Sequence, residues 1–329
     1  MATNDQLKAL VKSHADGDDS QFYSVAMQVA AKAARAGQVK FAQELRDMVD
    51  GVRKKRPSTT GIASVVPVAQ PRGELASLIR VSYPEARIND LVLDPPLAER
   101  LRRVLLEQRQ KDLLRRHGLQ PVRRLLLMGP PGTGKTSTAH VLAGELELPL
   151  FAVRLDTVIT KYMGETASKL RLIFDSLTET RGVYLFDEVD ALAGDRAIGN
   201  DVGEIRRVLN SFLQFLEEDT SDSLIVAATN HPHLLDGAMF RRFDILLEFS
   251  LPDDKCARSV IENRLSSFRT SKLSWSRICT AARGFSHAEI ALAAENAAKH
   301  ALLAGHKQIV TDDILSALNE RPRTSSMTH

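Results

Sequence analysis

The sequence predicts an α/β fold, a parallel sheet sandwiched by helices, with a small C-terminal helical domain and an N-terminal three-helix bundle. Three observations predict it. Apolar runs at Leu125–Met128, Val183–Phe186 and Leu224–Ala228 each end abruptly in glycine or polar residues. Strands buried on both faces of a parallel sheet read this way, without polar alternation. The separation of the first two runs fits a further strand and helix between them, and after Lys255 the apolar spacing is helical as far as Leu318.

In chain order, Asp5 to Asp50 divides into three apolar stripes. Leu7, Leu10 and Val11 make the first; Phe22, Val25, Met27, Val29 and Ala30 the second; Phe41, Leu45 and Met48 the third. The run Asp16-Gly-Asp-Asp-Ser20 breaks the first from the second, and Gly37 ends the second. A bundle over residues 1–50 has a marginal core, so it is expected to lean on a partner protein. Residues 51–84 read as a linker, with the basic run Arg53-Lys-Lys-Arg56 followed by Pro57, Gly61, Pro67 and Pro71. No aromatics interleave with that run, so base stacking has no support and nucleic acid is not an expected partner.

The composition sets outer limits. With 329 residues, 43% hydrophobic and 26% charged, the chain has the make-up of a globular protein with one large domain and smaller appendages. A net charge of +3, spread along the chain, selects no partner class. Cys256 and Cys279 cannot build a disulfide framework and lack metal-ligand spacing, which suits a reduced, cytoplasmic protein. No basic and apolar leader opens the chain and no stretch is long enough to span a bilayer, so neither secretion nor membrane insertion is expected.

The stretch Leu125-Leu-Leu-Met-Gly-Pro-Pro-Gly-Thr-Gly-Lys-Thr-Ser137 carries the chemistry. It is a strand, a glycine-rich phosphate-binding loop and a helix start. Gly129, Gly132 and Gly134 permit turns that aim successive N–H groups inward, so that Gly129, Pro130, Pro131, Gly132, Thr133, Gly134, Lys135, Thr136 and Ser137 wrap a chain of phosphates. Lys135 neutralises the outer phosphates and Thr136 offers a hydroxyl to Mg²⁺. ATP and Mg²⁺ are the cofactors this pattern implies.

Val183-Tyr-Leu-Phe-Asp187-Glu188 ends a second strand in carboxylates. Asp187 is placed to hold Mg²⁺ and Glu188 to orient and deprotonate the attacking water. A third strand ends at Asn230, an amide suited to holding that water. Downstream, Arg241 and Arg242 form a cationic fork of the kind that absorbs developing charge in phosphoryl transfer.

Taken together, these motifs resemble the AAA ATPase family over Ile88 to Leu318. Gly129 to Thr136 matches Walker A, Asp187-Glu188 Walker B, Asn230 sensor 1, and Thr229 to Asp244 the second region of homology with Arg241 and Arg242 as its arginine fingers. The resemblance implies the P-loop AAA+ sheet with a large ATPase domain over 85–251 and a helical lid over 252–329. It also implies that the arginines serve a neighbouring subunit, hence a homo-oligomeric ring, usually a hexamer. Lys161-Tyr162-Met163-Gly164-Glu165-Thr166, followed by a helix at Ala167 to Leu177, is similar to the first pore loop of the katanin and spastin branch. There Tyr162 and Met163 would grip a threaded protein substrate, since an aromatic paddle gains contact area without reading sequence.

The resemblance further places Leu91 and Val92 at the adenine, with Ala288 opposite, where other branches carry a sensor 2 arginine. Three features depart from the family pattern: Gly237 replaces a common proline, His231 and His287 are unusual, and Phe215-Leu-Glu-Glu-Asp219 lacks the usual Asp-Gly. The lid is expected as helices at Cys256–Phe268, Trp275–Ala282, Ser286–Ala304 and Thr311–Leu318. The expected activity is ATP-driven unfolding or disassembly of proteins by threading. A regulatory or scaffolding protein controlled by ATP, acting with a separate effector or protease chain, is the alternative.

Overall fold

The computed structural model describes residues 71–159, 163–192, 202–235, 237–270, 272–306 and 308–321, without the side chains of 163 and 202–206. The expected bundle over 1–50, the basic run at 53–56 and the pore-loop residue Tyr162 lie outside the described residues.

Six strands form one sheet in the order β1-β3-β4-β5-β2-β6. They are β1 Ile79–Ser82, β2 Arg124–Met128, β3 Leu150–Val153, β4 Val183–Phe186, β5 Leu224–Thr229 and β6 Ile245–Glu248. β1 runs antiparallel to β3 and every other pairing is parallel. The three apolar runs of the sequence are thus the central strands β5, β4 and β2. All of β4 and β5 is buried, as two helical layers require.

Alternation along these strands feeds two cores. Leu126, Tyr184, Phe186, Ile225 and Ala227 face one way, against the helices Met163–Glu179 and Val202–Glu218. Leu125, Leu127, Val183, Leu185, Val226 and Ala228 face the other way, against Pro95–Arg109 and Lys135–Leu146. Tyr184 brings the one hydroxyl among these strand residues into the first core. It donates to the carbonyls of Ser176 at 2.8 Å and Thr180 at 3.0 Å, and burial pushes its pKa up to about 12.

A third core belongs to the C-terminal helices Asp254–Arg264, Trp275–Ala282, His287–Leu303 and Thr311–Asn319. Ala291, Ala293, Ala294, Ala297, Ala298 and Ala301 are buried there, and their small side chains let the helices approach closely. Ala288, on the same helix, is exposed toward the cleft described below. Cys256 and Cys279 are free, buried thiols, and burial pushes the Cys256 thiol up to about 11.

Two expectations need correction. The linker drawn over 51–84 runs too far, because Leu75–Leu78 is a helical turn and Ile79–Ser82 is the edge strand β1, paired with Leu150–Val153. The helix expected at Ala167 begins at Met163, with Gly164 in its first turn. A glycine is tolerated there because the opening N–H groups have no helical partner, and Ser168 Oγ donates to the Gly164 carbonyl at 2.8 Å.

Candidate functional site

Register creates the site. Met128 lies opposite Thr229, and Phe186 opposite Ala227, on parallel strands. Whatever follows β2, β5 and β4 therefore emerges at one edge of the sheet: Gly129 onward, Asn230, and Asp187 with Glu188.

Gly129, Gly132 and Gly134 have φ of 144°, 72° and 104°, values that favour glycine. At Gly129 a Cβ would lie 2.1 Å from the carbonyl oxygen of Phe249, so glycine is required where the loop leaves the sheet beside β6. At Gly132 a Cβ would lie 2.6 Å from Ser286 Oγ, because the loop is pressed against the start of helix His287–Leu303. That helix is closed by a capping box: Ser286 Oγ accepts from the Glu289 N–H, and the Ser286 N–H donates to the Glu289 carboxylate at 2.7 Å. The Ala288 N–H then donates to the Gly132 carbonyl at 3.0 Å.

Lys135 is nearly buried and donates to the carbonyls of Gly129 at 2.8 Å and Pro130 at 2.7 Å. Burial lowers its pKa, opposed by Asp187 and Asp190. The Thr136 hydroxyl donates to Asp187 at 2.7 Å. Asp187 also accepts the Glu188 N–H at 3.1 Å, and Glu188 is a non-glycine residue at φ 55°, a strained conformation that turns the exposed carboxylate out of the strand line. On the next strand Thr229 donates to Asp190 at 2.7 Å and accepts the His231 N–H at 3.0 Å, which fixes the backbone on both sides of Asn230.

These groups line a cleft of about 880 Å³. Its polar end holds Lys135, Thr136, Asp187, Glu188 and Asn230. Leu91, Val92, Val260, Ala288 and Ala291 provide apolar walls for a flat ring. Pro131, Gly132, Thr133, Gly134 and Ser137 also border it, whereas Gly129 and Pro130 lie behind it as carbonyl acceptors for Lys135. The oxygens of Thr136 and Asp187 suit Mg²⁺, which is bound through few protein ligands and takes the rest from phosphate and water. Among the described residues no cluster of three His, Cys, Asp or Glu could hold a metal unaided, and His231 packs edge-on to His233 at 5.7 Å.

Neither arginine of the expected fork lines the cleft. Arg242 pairs with Glu217 at 2.7 Å, while Arg241 is exposed with no ion pair among the described residues. Met163 opens its helix, and Tyr162 before it lies outside the described residues. Sequence reasoning missed Val260, Asn263 and Arg264, whose spacing of three and four puts them on one face of helix Asp254–Arg264 bordering the cleft. That spacing was the available signal.

Comparison with known proteins agrees with this geometry. The family model for the "ATPase family associated with various cellular activities (AAA)" matches residues 125–251. An uncharacterized AAA family ATPase, y4kL, of Sinorhizobium fredii is 32% identical over 324 residues, 98% of this chain and 96% of that one. ATP-dependent zinc metalloprotease FtsH 1 of Symbiobacterium thermophilum is 34% identical over 74% of this chain, and a proteasome-activating nucleotidase of Aeropyrum pernix 33% identical over 69%. The chain spans 42% and 58% of those two relatives. The crystal structure of the FIGL-1 AAA domain superposes with a TM-score of 0.61 over 82% of this chain and 93% of that one, at 22% identity, a likeness of fold. An identity of 32% sustained along two whole chains reflects common descent rather than a shared loop, and this chain belongs to the AAA family of ATPases.

Proposed function

We propose that this ATPase works as a ring of identical subunits that remodels protein substrates by drawing them through a central pore. The supporting observation is the position of the arginines. The cleft holds a phosphate loop with Lys135, a carboxylate base and a water-positioning amide, yet neither Arg241 nor Arg242 lines it, and Arg241, exposed with no ion pair among the described residues, is available to a neighbour's cleft.

On this reading Lys135 exchanges its carbonyl partners for the outer phosphates, while the N–H groups of Gly132 to Thr136 cradle the rest. Glu188 accepts the proton of the attacking water and Asn230 orients it. Thr136 and Asp187 would hold Mg²⁺, which neutralises charge on the phosphate oxygens. Arg241 and Arg242 of the adjacent subunit stabilise the developing charge. Tyr162 and Met163 grip the substrate, and the bundle over 1–50 selects it or binds a partner. One relative is named a zinc metalloprotease and another for activating the proteasome, which supports a protein substrate.

Light scattering and ATPase assays across a protein dilution series test the reading. The expected result is assembly with ATP and a specific activity that rises with concentration. A monomer with concentration-independent turnover overturns it. If the ring forms but Tyr162→Ala leaves an unfolding assay unchanged, threading is wrong and ATP-controlled scaffolding takes its place.

A further inference from the structure

Helix Lys135–Leu146 begins at the lysine of the phosphate loop and carries an acid in its last turn, where the helix dipole disfavours negative charge. That acid, Glu145, does not border the cleft, and its side chain is only 14% exposed. A carboxylate so placed needs partners. Its Oε1 accepts the Ile88 N–H at 3.0 Å, and its Oε2 accepts from the Arg109 guanidinium at 2.6 Å. These bonds hold the carboxyl below its usual range, the Ile88 N–H contributing most, so the group is charged at neutral pH.

The backbone it holds is the one that reaches the cleft. Ile88–Asp90 is a single tight turn, in which the Arg87 N–H donates to Asp90 at 2.7 Å and the Leu91 N–H to the Ile88 carbonyl at 3.2 Å. A turn this closed passes any displacement of Ile88 to the residues after it. Asn89, Asp90, Leu91, Val92 and Leu93 all line the cleft. The chain entering the turn is fixed to the same helix end, since the Arg87 guanidinium donates to the Gly144 carbonyl at 2.7 Å. At Gly144 a Cβ would lie 2.2 Å from the carbonyl oxygen of Ala86, so the incoming backbone lies directly against the helix. One rigid helix, about 15 Å from Lys135 to Glu145 at a rise of 1.5 Å per residue, thus spaces the phosphate lysine from the apolar wall that Leu91 and Val92 offer a base.

We infer that Glu145 is a positioning residue for nucleotide binding, which sets the base wall of residues 89–92 at a fixed distance from the phosphate loop without touching ATP itself. The inference rests on the cleft being the ATP site. Its consequence is a loss confined to the part of the affinity that depends on the nucleoside.

The test titrates full-length wild type, Glu145→Ala, Glu145→Gln and Arg109→Ala with ATP and with inorganic tripolyphosphate, both with Mg²⁺, beside ATPase kinetics. Ala removes both acceptor oxygens. Gln keeps an acceptor for the Ile88 N–H and loses the charge, while Arg109→Ala leaves the Ile88 bond and removes the cation. For Glu145→Ala the expected result is ATP affinity about tenfold weaker, tripolyphosphate affinity unchanged, and a KM about tenfold higher at a kcat close to wild type. Glu145→Gln should recover part of that loss, and Arg109→Ala should show a smaller one. An equal loss for both ligands in Glu145→Ala, or no loss for either, overturns the assignment and leaves the phosphate site standing. If Glu145→Ala does not fold, Glu145→Gln and Arg109→Ala decide by the same ratio of ATP to tripolyphosphate affinity. Wild-type protein that binds neither ligand overturns the cleft as the ATP site.

Discussion

The N–H of Ala288 donates to the carbonyl of Gly132 across 3.0 Å, tying the first turn of a C-terminal helix to the phosphate-binding loop. One bond therefore couples the two walls of the cleft. The same closeness makes Gly132 intolerant of a side chain, since a Cβ there would meet Ser286 Oγ at 2.6 Å and Ala288 Cβ at 3.2 Å at a φ of 72°. Gly132→Ala should weaken ATP binding by at least about tenfold while the thermal midpoint moves by only a few degrees, about what strain of this kind costs. Titration calorimetry beside a melting curve checks it.

Lys135 and Glu188 should separate binding from turnover. Lys135→Ala removes the one buried cation of the loop, and ATP affinity should collapse. Glu188→Gln keeps the hydrogen-bonding shape but cannot take a proton, so kcat should fall by roughly 10² to 10⁴ with affinity retained. Equilibrium binding of a fluorescent ATP analogue and phosphate release measure the two effects.

If subunits share sites, two inactive variants should rescue each other. Arg241→Ala should lower turnover by about 10³ without lowering ATP affinity. Mixed with Glu188→Gln, it should recover measurable activity, because some clefts then pair an intact Glu188 with a neighbour's intact Arg241. Arg242→Ala also breaks the half-exposed pair with Glu217, a loss of about 0–1 kcal/mol, so its melting point should stay close to wild type.

Tyr184→Phe tests the core. The hydroxyl satisfies the carbonyls of Ser176 and Thr180, and its removal should cost about 1 kcal/mol, or about 2–4 °C in Tm for a domain of this size. Urea unfolding at constant m-value provides the measurement.

Asp222 gives the protein a pH-dependent contribution. Arg115 and then Lys111 bond its carboxylate, joining helix Lys111–Arg116 to the start of β5 and holding the carboxyl well below the usual range. A carboxylate with a depressed native pKa stabilises fully above the unfolded value and loses that contribution as the pH falls through the native one. Asp222→Asn should therefore unfold at lower urea than wild type at pH 7, with the gap narrowing only below about pH 4.

The loop from Gly129 to Ser137 and the strand ends at Asp187 and Asn230 were legible because their chemistry is written in consecutive residues. Strand β1 was not. Four residues are too few for periodicity to register, and Ile79–Ser82 becomes a strand only through pairing with Leu150–Val153. Asp219 was noted only as a departure from the family pattern, yet its carboxylate is buried against Arg123 at 3.0 Å, 96 residues away. Asn263 and Arg264 reached the cleft unannounced, since an amphipathic helix shows which face is apolar without saying what its polar face meets.

The sequence by itself determined the chemical groups: a phosphate cradle, a lysine, a carboxylate pair, an amide and two arginines, each specified by local spacing that backbone geometry obliges. Tertiary structure alone decided which of them meet. The parallel register of β2, β5 and β4 gathers the first four at one sheet edge, while Arg242 is turned toward Glu217 and Arg241 toward solvent. The reason is physical: hydrogen-bond register and side-chain packing are set by residues far apart in the chain, and no local pattern encodes a distance across space.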